Sequence, residues 1–330
     1  MHMKQNLLSF NDALNIVNEK IESVIYPETP KNLYDPIKYI LSLKGKKVRP
    51  VLSILSYNLY AEDVSEVISP ALAWEIFHNF TLMHDDLMDK AELRRGKPVV
   101  YKVWGDNTAI LSGDAMLILS YQYIANVPAS KQKSTLDLFS KTAMEICVGQ
   151  QYDMDFEKRL DVSENEYLNM IRLKTAVLLG AALKTGAILG DAPLSDAENL
   201  YDFGVNIGIA FQIKDDLLDV YGNPDVFGKQ IGGDILCNKK TFLLINALNQ
   251  VSGKDKDILL QQITSEVFDA DTKIKAVTDI YNKLNVKENA ENKMRKFYQK
   301  ALNSLQLISV ENEKKEVLLK FAEDLMNRES

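Results

Sequence analysis

Residues 84–97 read His84-Asp85-Asp86-Leu87-Met88-Asp89-Lys90-Ala91-Glu92-Leu93-Arg94-Arg95-Gly96-Lys97, and this stretch decides how the rest of the chain is read. At about 3.6 residues per turn, Asp85 and Asp89 fall one turn apart with Asp86 on the same side. Three carboxylates are therefore expected to converge. Two of them about 6 Å apart repel by roughly 3 kcal/mol at an effective dielectric near 20, so a cation is expected among them. Oxygen donors without Cys or His at ligand spacing favour a hard ion, and Mg²⁺ completes its shell with water and phosphate. Arg94 and Arg95 suit that phosphate, because the guanidinium fork meets its oxygens two at a time. The competing reading of this stretch alone is a solvated acidic helix end before a basic loop.

A second copy of the spacing weighs against the competing reading. Residues 211–219 are Phe-Gln-Ile-Lys-Asp-Asp-Leu-Leu-Asp, placing Asp215, Asp216 and Asp219 as Asp85, Asp86 and Asp89 are placed, again at the end of an apolar helical run. Gln212 lies one turn before Asp216 and shares its face.

The chain has 330 residues, 46% hydrophobic and 26% charged, which is enough for a substantial core. Only 15 glycines and 9 prolines interrupt a sequence rich in Leu, Lys, Ala and Glu, a helix-favouring balance. The net charge of −7 and the lack of a basic stripe argue against a nucleic-acid partner. Cys147 and Cys237 form neither a disulfide framework nor a zinc pattern; they are expected as core or loop residues of a protein in a reducing cytoplasm. No signal peptide is read at the N-terminus, and the longest apolar stretch, 176–190, is short and holds Lys184, so no stable membrane insertion is expected.

Taken in order, a helix is expected after Ser9 and ends before Pro27 and Pro30, and another starts at Pro36 and reaches Leu43. The cationic loop Lys44-Gly45-Lys46-Lys47-Val48-Arg49-Pro50 follows, its proline beginning the next helix. The apolar helix over 69–90 delivers the first cluster, with His78 on the aspartate face and His84 elsewhere as a packed or capping residue. Helices follow over 106–125, 130–157 and 164–190, the last carrying Lys174-Thr175 in its middle, and a helix over 195–221 delivers the second cluster. A glycine-rich loop from Gly222 to Asn238 contains Lys229 and Gly232-Gly233-Asp234, and Lys239-Lys240-Thr241 opens the next helix. Helical patterns continue over 255–267, 270–284, 287–306 and 311–328, and no strand pattern of useful length is found.

These features predict one all-α domain over 1–330, a single large helical bundle around a central cavity with the clusters at facing helix ends. Such clusters would hold divalent ions that clamp one polyphosphate and take up charge as it leaves. Phe77, Phe80, Leu82 and Phe211 would receive a greasy substituent.

The sequence closely resembles the trans-isoprenyl diphosphate synthases, the polyprenyl synthetase family of farnesyl and geranylgeranyl diphosphate synthases. Both aspartate-rich motifs, the double arginine and the cationic loop occur in the family's order. The resemblance implies that Asp85, Asp86, Asp89, Asp215, Asp216 and Asp219 bind Mg²⁺, roughly three ions once substrate is present. It implies that Arg94, Lys174, Lys229 and Lys239 hold an allylic diphosphate, and that Lys46, Arg49, His78 and Arg95 hold isopentenyl diphosphate. Thr175 and Gln212 would lie near the reacting carbons. The implied reaction is head-to-tail: loss of diphosphate gives an allylic cation, isopentenyl diphosphate attacks it, and the released diphosphate removes the proton.

The loop departs from the family's usual Gly-Gly-Lys-Arg, reading Lys44-Gly45-Lys46-Lys47, and Asn238 stands where many members have Gly. The first motif lacks a two-residue insertion, as in geranylgeranyl-type enzymes. Family logic puts the floor of the hydrocarbon pocket at Phe77, Phe80 and Thr81, where a bulky Phe80 favours a farnesyl or geranylgeranyl product. An ideal helical wheel, however, turns Phe80 nearly opposite the aspartates. The alternatives are a long-chain polyprenyl synthase for quinone tails, a class I terpene cyclase and a non-catalytic subunit. A homodimer is expected from the family.

Overall fold

The computed structural model describes residues 7–222, 231–265 and 267–327. Among them the chain is almost wholly helical, its strands being the two-residue pair Leu93–Arg94 and Lys97–Pro98. The residues group into two compact units. One comprises Met1–Lys141, Ala181–Tyr201 and Ile308–Val317; the other comprises Thr142–Gly180, Asp202–Leu307 and Leu318–Ser330.

In the first unit the Phe10–Glu22 helix starts at a capping box, in which the Ser9 hydroxyl accepts from the Asp12 N–H and the Asp12 carboxylate accepts from Ser9. The next helix, Lys31–Ser42, begins five residues before Pro36 instead of at it. Proline there forfeits one N–H bond near the helix start, where few such bonds have yet formed. The Val48–Asn58 helix has its N-cap at Lys47, in the left-handed region at φ 40°. The Ser65–Met88 helix is apolar nearly all round; Ala71, Trp74, Ile76, Phe77 and Met83 are buried along it. That pattern marks a central helix, not a surface one. Trp74 and Phe77 each pack a ring against Phe139, with centroids 5.0 and 5.3 Å apart.

The second unit holds Glu164–Ile171, then a π-helical turn at Arg172–Ala176, where the sequence pattern alone predicts unbroken α-helix. π-turns of this kind gather at functional sites. Gly149 explains how the Ala129–Glu157 helix comes so close to that turn: a Cβ on it would sit 2.3 Å from the Lys174 backbone nitrogen. The remaining core of this unit is built from Phe242–Gln250, Gly253–Thr264, Ala270–Lys283 and Val286–Leu307, with Leu243, Leu259, Val277, Tyr281, Ala290 and Leu305 buried. Cys147 and Cys237 are both exposed, so neither is a core residue.

Candidate active site

In the first unit the Ser65–Met88 helix ends at the first aspartate cluster. Asp89 caps it, its N–H donating to the Asp85 carbonyl at 2.8 Å. Asp86 is buried. Arg94 holds it: Nε donates to both carboxylate oxygens at 3.0 and 2.8 Å, and Nη2 to Oδ1 at 2.7 Å. The short hairpin sets this up. Leu93 pairs with Pro98 and Arg94 with Lys97, and the turn between them has Arg95 at φ 52° and Gly96 at φ 73°. Two successive left-handed residues make the tight turn whose twist suits a hairpin, and glycine takes one of them at no steric cost.

The turn also directs Arg95 onto the cationic loop. Its Nη1 donates to the Leu43 carbonyl at 3.2 Å, and its guanidinium lies where a Cβ on Gly45 would be, 2.8 Å away. Arg49 carries a buried Nε that meets no hydrogen-bond acceptor. Burial lowers its pKa to about 10, partly offset by Glu75 and deepened by Arg95. The half-buried His78 is pushed well below the ordinary imidazole range, first by burial and then by Arg49, Arg95 and Arg94. Arg49, His78, Arg94 and Arg95 thus form one electropositive patch in this unit, beside the exposed Lys46. A group carrying several negative oxygens fits such a patch. His84 packs as expected: Nε2 meets the Ile110 carbonyl at 3.1 Å and the ring lies 4.9 Å from that of Phe80.

In the second unit the Leu194–Tyr221 helix carries the second cluster, with Phe211 and Gln212 partly buried just before it. Asp216 is 2% exposed. Its Oδ2 accepts from the Tyr167 hydroxyl at 2.5 Å and from the Phe242 N–H at 2.9 Å. Burial, then the neighbouring Asp234, raises its pKa to about 7 against these donors. Asp219 is raised to about 6 for the same two reasons; it accepts from the Asp234 N–H at 3.0 Å and its carbonyl from the Gly232 N–H at 2.6 Å. Lys239 lies 3.7 Å from Asp234. Burial works to lower its pKa, but Asp234, Asp216, Asp153 and Asp215 outweigh that and raise it. In the π-turn, Lys174 pairs with Asp153 at 2.6 Å, beside Thr175.

Three residues here escape a reading by spacing. Tyr167, Asp153 and Asp234 all act on predicted site residues, and only the Gly232-Gly233 step before Asp234 flags any of them in the sequence. Lys229 lies outside the described residues. Among the described residues, no three His, Cys, Asp or Glu side chains are gathered as a ready-made metal cage. The donor set still fits a hard cation. The raised Asp216 and Asp219 mark carboxylates short of positive charge, and Mg²⁺ characteristically takes one or two carboxylates and draws its other ligands from phosphate and water.

Comparison with known proteins agrees with this chemistry. The signature of the polyprenyl synthetase family matches residues 30–281. A short chain isoprenyl diphosphate synthase of Methanothermobacter thermautotrophicus is 39% identical over 251 residues, 76% of this chain and 77% of that protein. A geranylfarnesyl diphosphate synthase of Natronomonas pharaonis is 38% identical over 253 residues, 71% of this chain and 74% of that one. A crystal structure of a geranylgeranyl pyrophosphate synthase superposes with a TM-score of 0.93 at 40% identity, covering 98% of this chain and 100% of its own. An all-helical chain with such relatives is a trans-prenyltransferase. It belongs to the polyprenyl synthetase family.

Proposed function

We propose that the protein condenses isopentenyl diphosphate with an allylic diphosphate, head to tail, to give a short-chain trans-prenyl diphosphate of the farnesyl or geranylgeranyl class. The observation that carries this reading is the pair of aspartate clusters, each with its second carboxylate already immobilised, Asp86 by Arg94 and Asp216 by Tyr167 and Phe242. In this reading Asp85, Asp86 and Asp89 of the first motif and Asp215, Asp216 and Asp219 of the second are the carboxylates that hold the metal. Magnesium, roughly three ions when diphosphate is present, supplies charge neutralisation to the leaving group.

The residues of the chain do the rest. Lys174, Lys239 and Arg94 bind the allylic diphosphate, and Lys46, Arg49, His78 and Arg95 bind that of isopentenyl diphosphate. Thr175 and Gln212 orient their oxygens towards the carbon that becomes cationic. No Ser or Cys nucleophile is called for, and the departing diphosphate accepts the proton.

A homodimer suits the exposed Leu111 and Ile118, seven residues apart on one helix, and separately the exposed Met144 and Val148 on another. Two free cysteines suit the cytoplasm, and among the described residues no helix is long and apolar enough to cross a membrane. The deciding assay incubates the purified protein with isopentenyl diphosphate and dimethylallyl, geranyl or farnesyl diphosphate, with Mg²⁺ or EDTA, and chromatographs the dephosphorylated products. Elongated prenols in Mg²⁺ alone are expected. No elongation from any primer would overturn the assignment.

A further inference from the structure

The segment 232–242 closes over the second aspartate cluster. Gly232 and Asp234 donate to Asp219, and Phe242 donates to Asp216, so both ends of the segment are tied to the motif. Between these ties the chain turns sharply. Asn238 takes φ 55°, Lys239 N–H returns to the Asp234 carbonyl at 3.0 Å, and Lys240 reaches back to the carbonyls of Asn238 and Glu157 at 3.3 Å each.

A residue far along the chain fixes that turn. Lys273, on the Ala270–Lys283 helix, is 0% exposed. Its ammonium donates to Asn238 Oδ1 at 2.7 Å and to the Leu236 carbonyl at 3.3 Å, and sits 3.9 Å from the centre of the Phe268 ring. Every one of these partners is formally neutral. Burying a charge on neutral partners is costly, and the arrangement persists only where the surroundings determine it strongly. What it secures is specific: a left-handed residue that is not glycine, with its side chain used as a handle. Gly232, at φ 82°, admits Ile274 from the same helix into the space its Cβ would fill, so the helix presses on this segment at two neighbouring points.

We propose that Lys273 is a positioning residue for the diphosphate site: through Asn238 it holds the turn that aims Lys239. This rests on the reading of Lys239 as a ligand of the allylic diphosphate. Asn238 is the necessary intermediary, since its Oδ1 is the acceptor that turns a backbone bend into a pinned one. Phe268 completes the enclosure by shielding the ammonium from water.

The test compares Lys273→Met, Asn238→Gly, the double variant and Lys239→Ala. The readouts are KM for the allylic diphosphate, KM for isopentenyl diphosphate, kcat and the calorimetric Kd of inorganic pyrophosphate with Mg²⁺. Asn238→Gly keeps the left-handed turn accessible and removes only the handle, so it serves even if Lys273→Met fails to fold. Each single variant is expected to raise the allylic KM and the pyrophosphate Kd about tenfold, as displacement of a binding group by a fraction of an ångström does, with the isopentenyl KM changed less than about twofold. The double variant should be no worse than the singles, because both cut one linkage. Folded singles with an unchanged allylic KM and pyrophosphate Kd, while Lys239→Ala raises both, would overturn the role of Lys273. If Lys239→Ala itself changes neither, the assignment of Lys239 falls and this inference with it.

Discussion

Arg94 grips Asp86 through three hydrogen bonds of 2.7 to 3.0 Å, with the carboxylate side chain 4% exposed and the guanidinium 25%. The pair joins the end of the Ser65–Met88 helix to the hairpin that follows and sets the orientation of both. Removing one partner leaves a carboxylate that is out of water and unanswered. Arg94→Ala should therefore destabilise the fold by about 2 kcal/mol, less than for a fully buried pair because the arginine is partly wet. Adding Asp86→Asn to Arg94→Ala should restore part of the loss. Urea unfolding of the wild type, Arg94→Ala and the double variant checks this, and a double variant weaker than Arg94→Ala would contradict it.

On the proposed reading, one carboxylate from each cluster gives the direct test of the metal site. Asp85→Ala and Asp215→Ala should each lower turnover on the order of 10²-fold or more, a few kcal/mol of lost transition-state stabilisation, with little change in melting temperature. Steady-state assays with saturating Mg²⁺ decide it. Near wild-type turnover in either folded variant would remove that residue from the metal site.

Gly113 lets two helices of the first unit meet. A Cβ there would lie 2.2 Å from His84 Nε2, the atom that meets the Ile110 carbonyl. Gly113→Ala should cost about 1–3 kcal/mol by overpacking. Since the obstacle is one side chain, His84→Ala/Gly113→Ala should be more stable than Gly113→Ala alone. Thermal unfolding showing no such rescue would mean that the backbone, not His84, is what the methyl displaces.

The aspartates were legible in the sequence because their chemistry is local: five residues at helical spacing, written twice. Their partners were legible only in part. Arg94 lies within the same stretch, but its hairpin consists of two residue pairs set by the Arg95-Gly96 turn, too short for any alternating pattern to reveal. Tyr167 stands 49 residues from Asp216 and Asp153 stands 21 from Lys174. Nothing in one sequence links such positions; packing alone brings them together. The π-turn at Lys174 is hidden for a similar reason, since Gly149 on another helix accompanies it. Pro36 misled through a rule that is sound at the first turn of a helix but does not forbid the second.

In the metal-free protein the second aspartate cluster should contribute an inverted acid dependence. Asp216 and Asp219 hold protons up to about 7 and about 6 in the folded chain, against a usual value of 3.8. Between about pH 4 and pH 7 these two groups thus bind more protons in the folded state than in the unfolded one, and the stability they contribute falls as the pH rises through that window. His78 works the other way: its depressed pKa means that stability is lost as the pH falls below the usual imidazole range. The two are separated by substitution. In EDTA, Asp216→Asn, which keeps an acceptor for Tyr167 and Phe242, should lose less stability than the wild type between pH 5 and pH 8. Mg²⁺ should stabilise the wild type more at pH 8, where the carboxylates are ionised, than at pH 5. Equal slopes for the two proteins in EDTA would count against a raised Asp216.

Product length should be set along the Ser65–Met88 helix by two aromatic barriers. Phe80 lies five residues before Asp85, about 7.5 Å along the axis, and Phe77 a further ~4.5 Å. Their rings are 5.5 Å apart, with Phe77 only 1% exposed and backed by Phe139. Phe80 is the more accessible and packs against the buried cluster that includes Ile76, Met83 and Met116. Phe80→Ser should admit about one further isoprene unit before Phe77 stops the chain, and Phe77→Ser/Phe80→Ser should admit more. Each loss of a packed ring costs about 3 kcal/mol, so melting temperatures must accompany the chromatograms. A folded Phe80→Ser protein with an unchanged product distribution would show that the tail runs along another face of this helix.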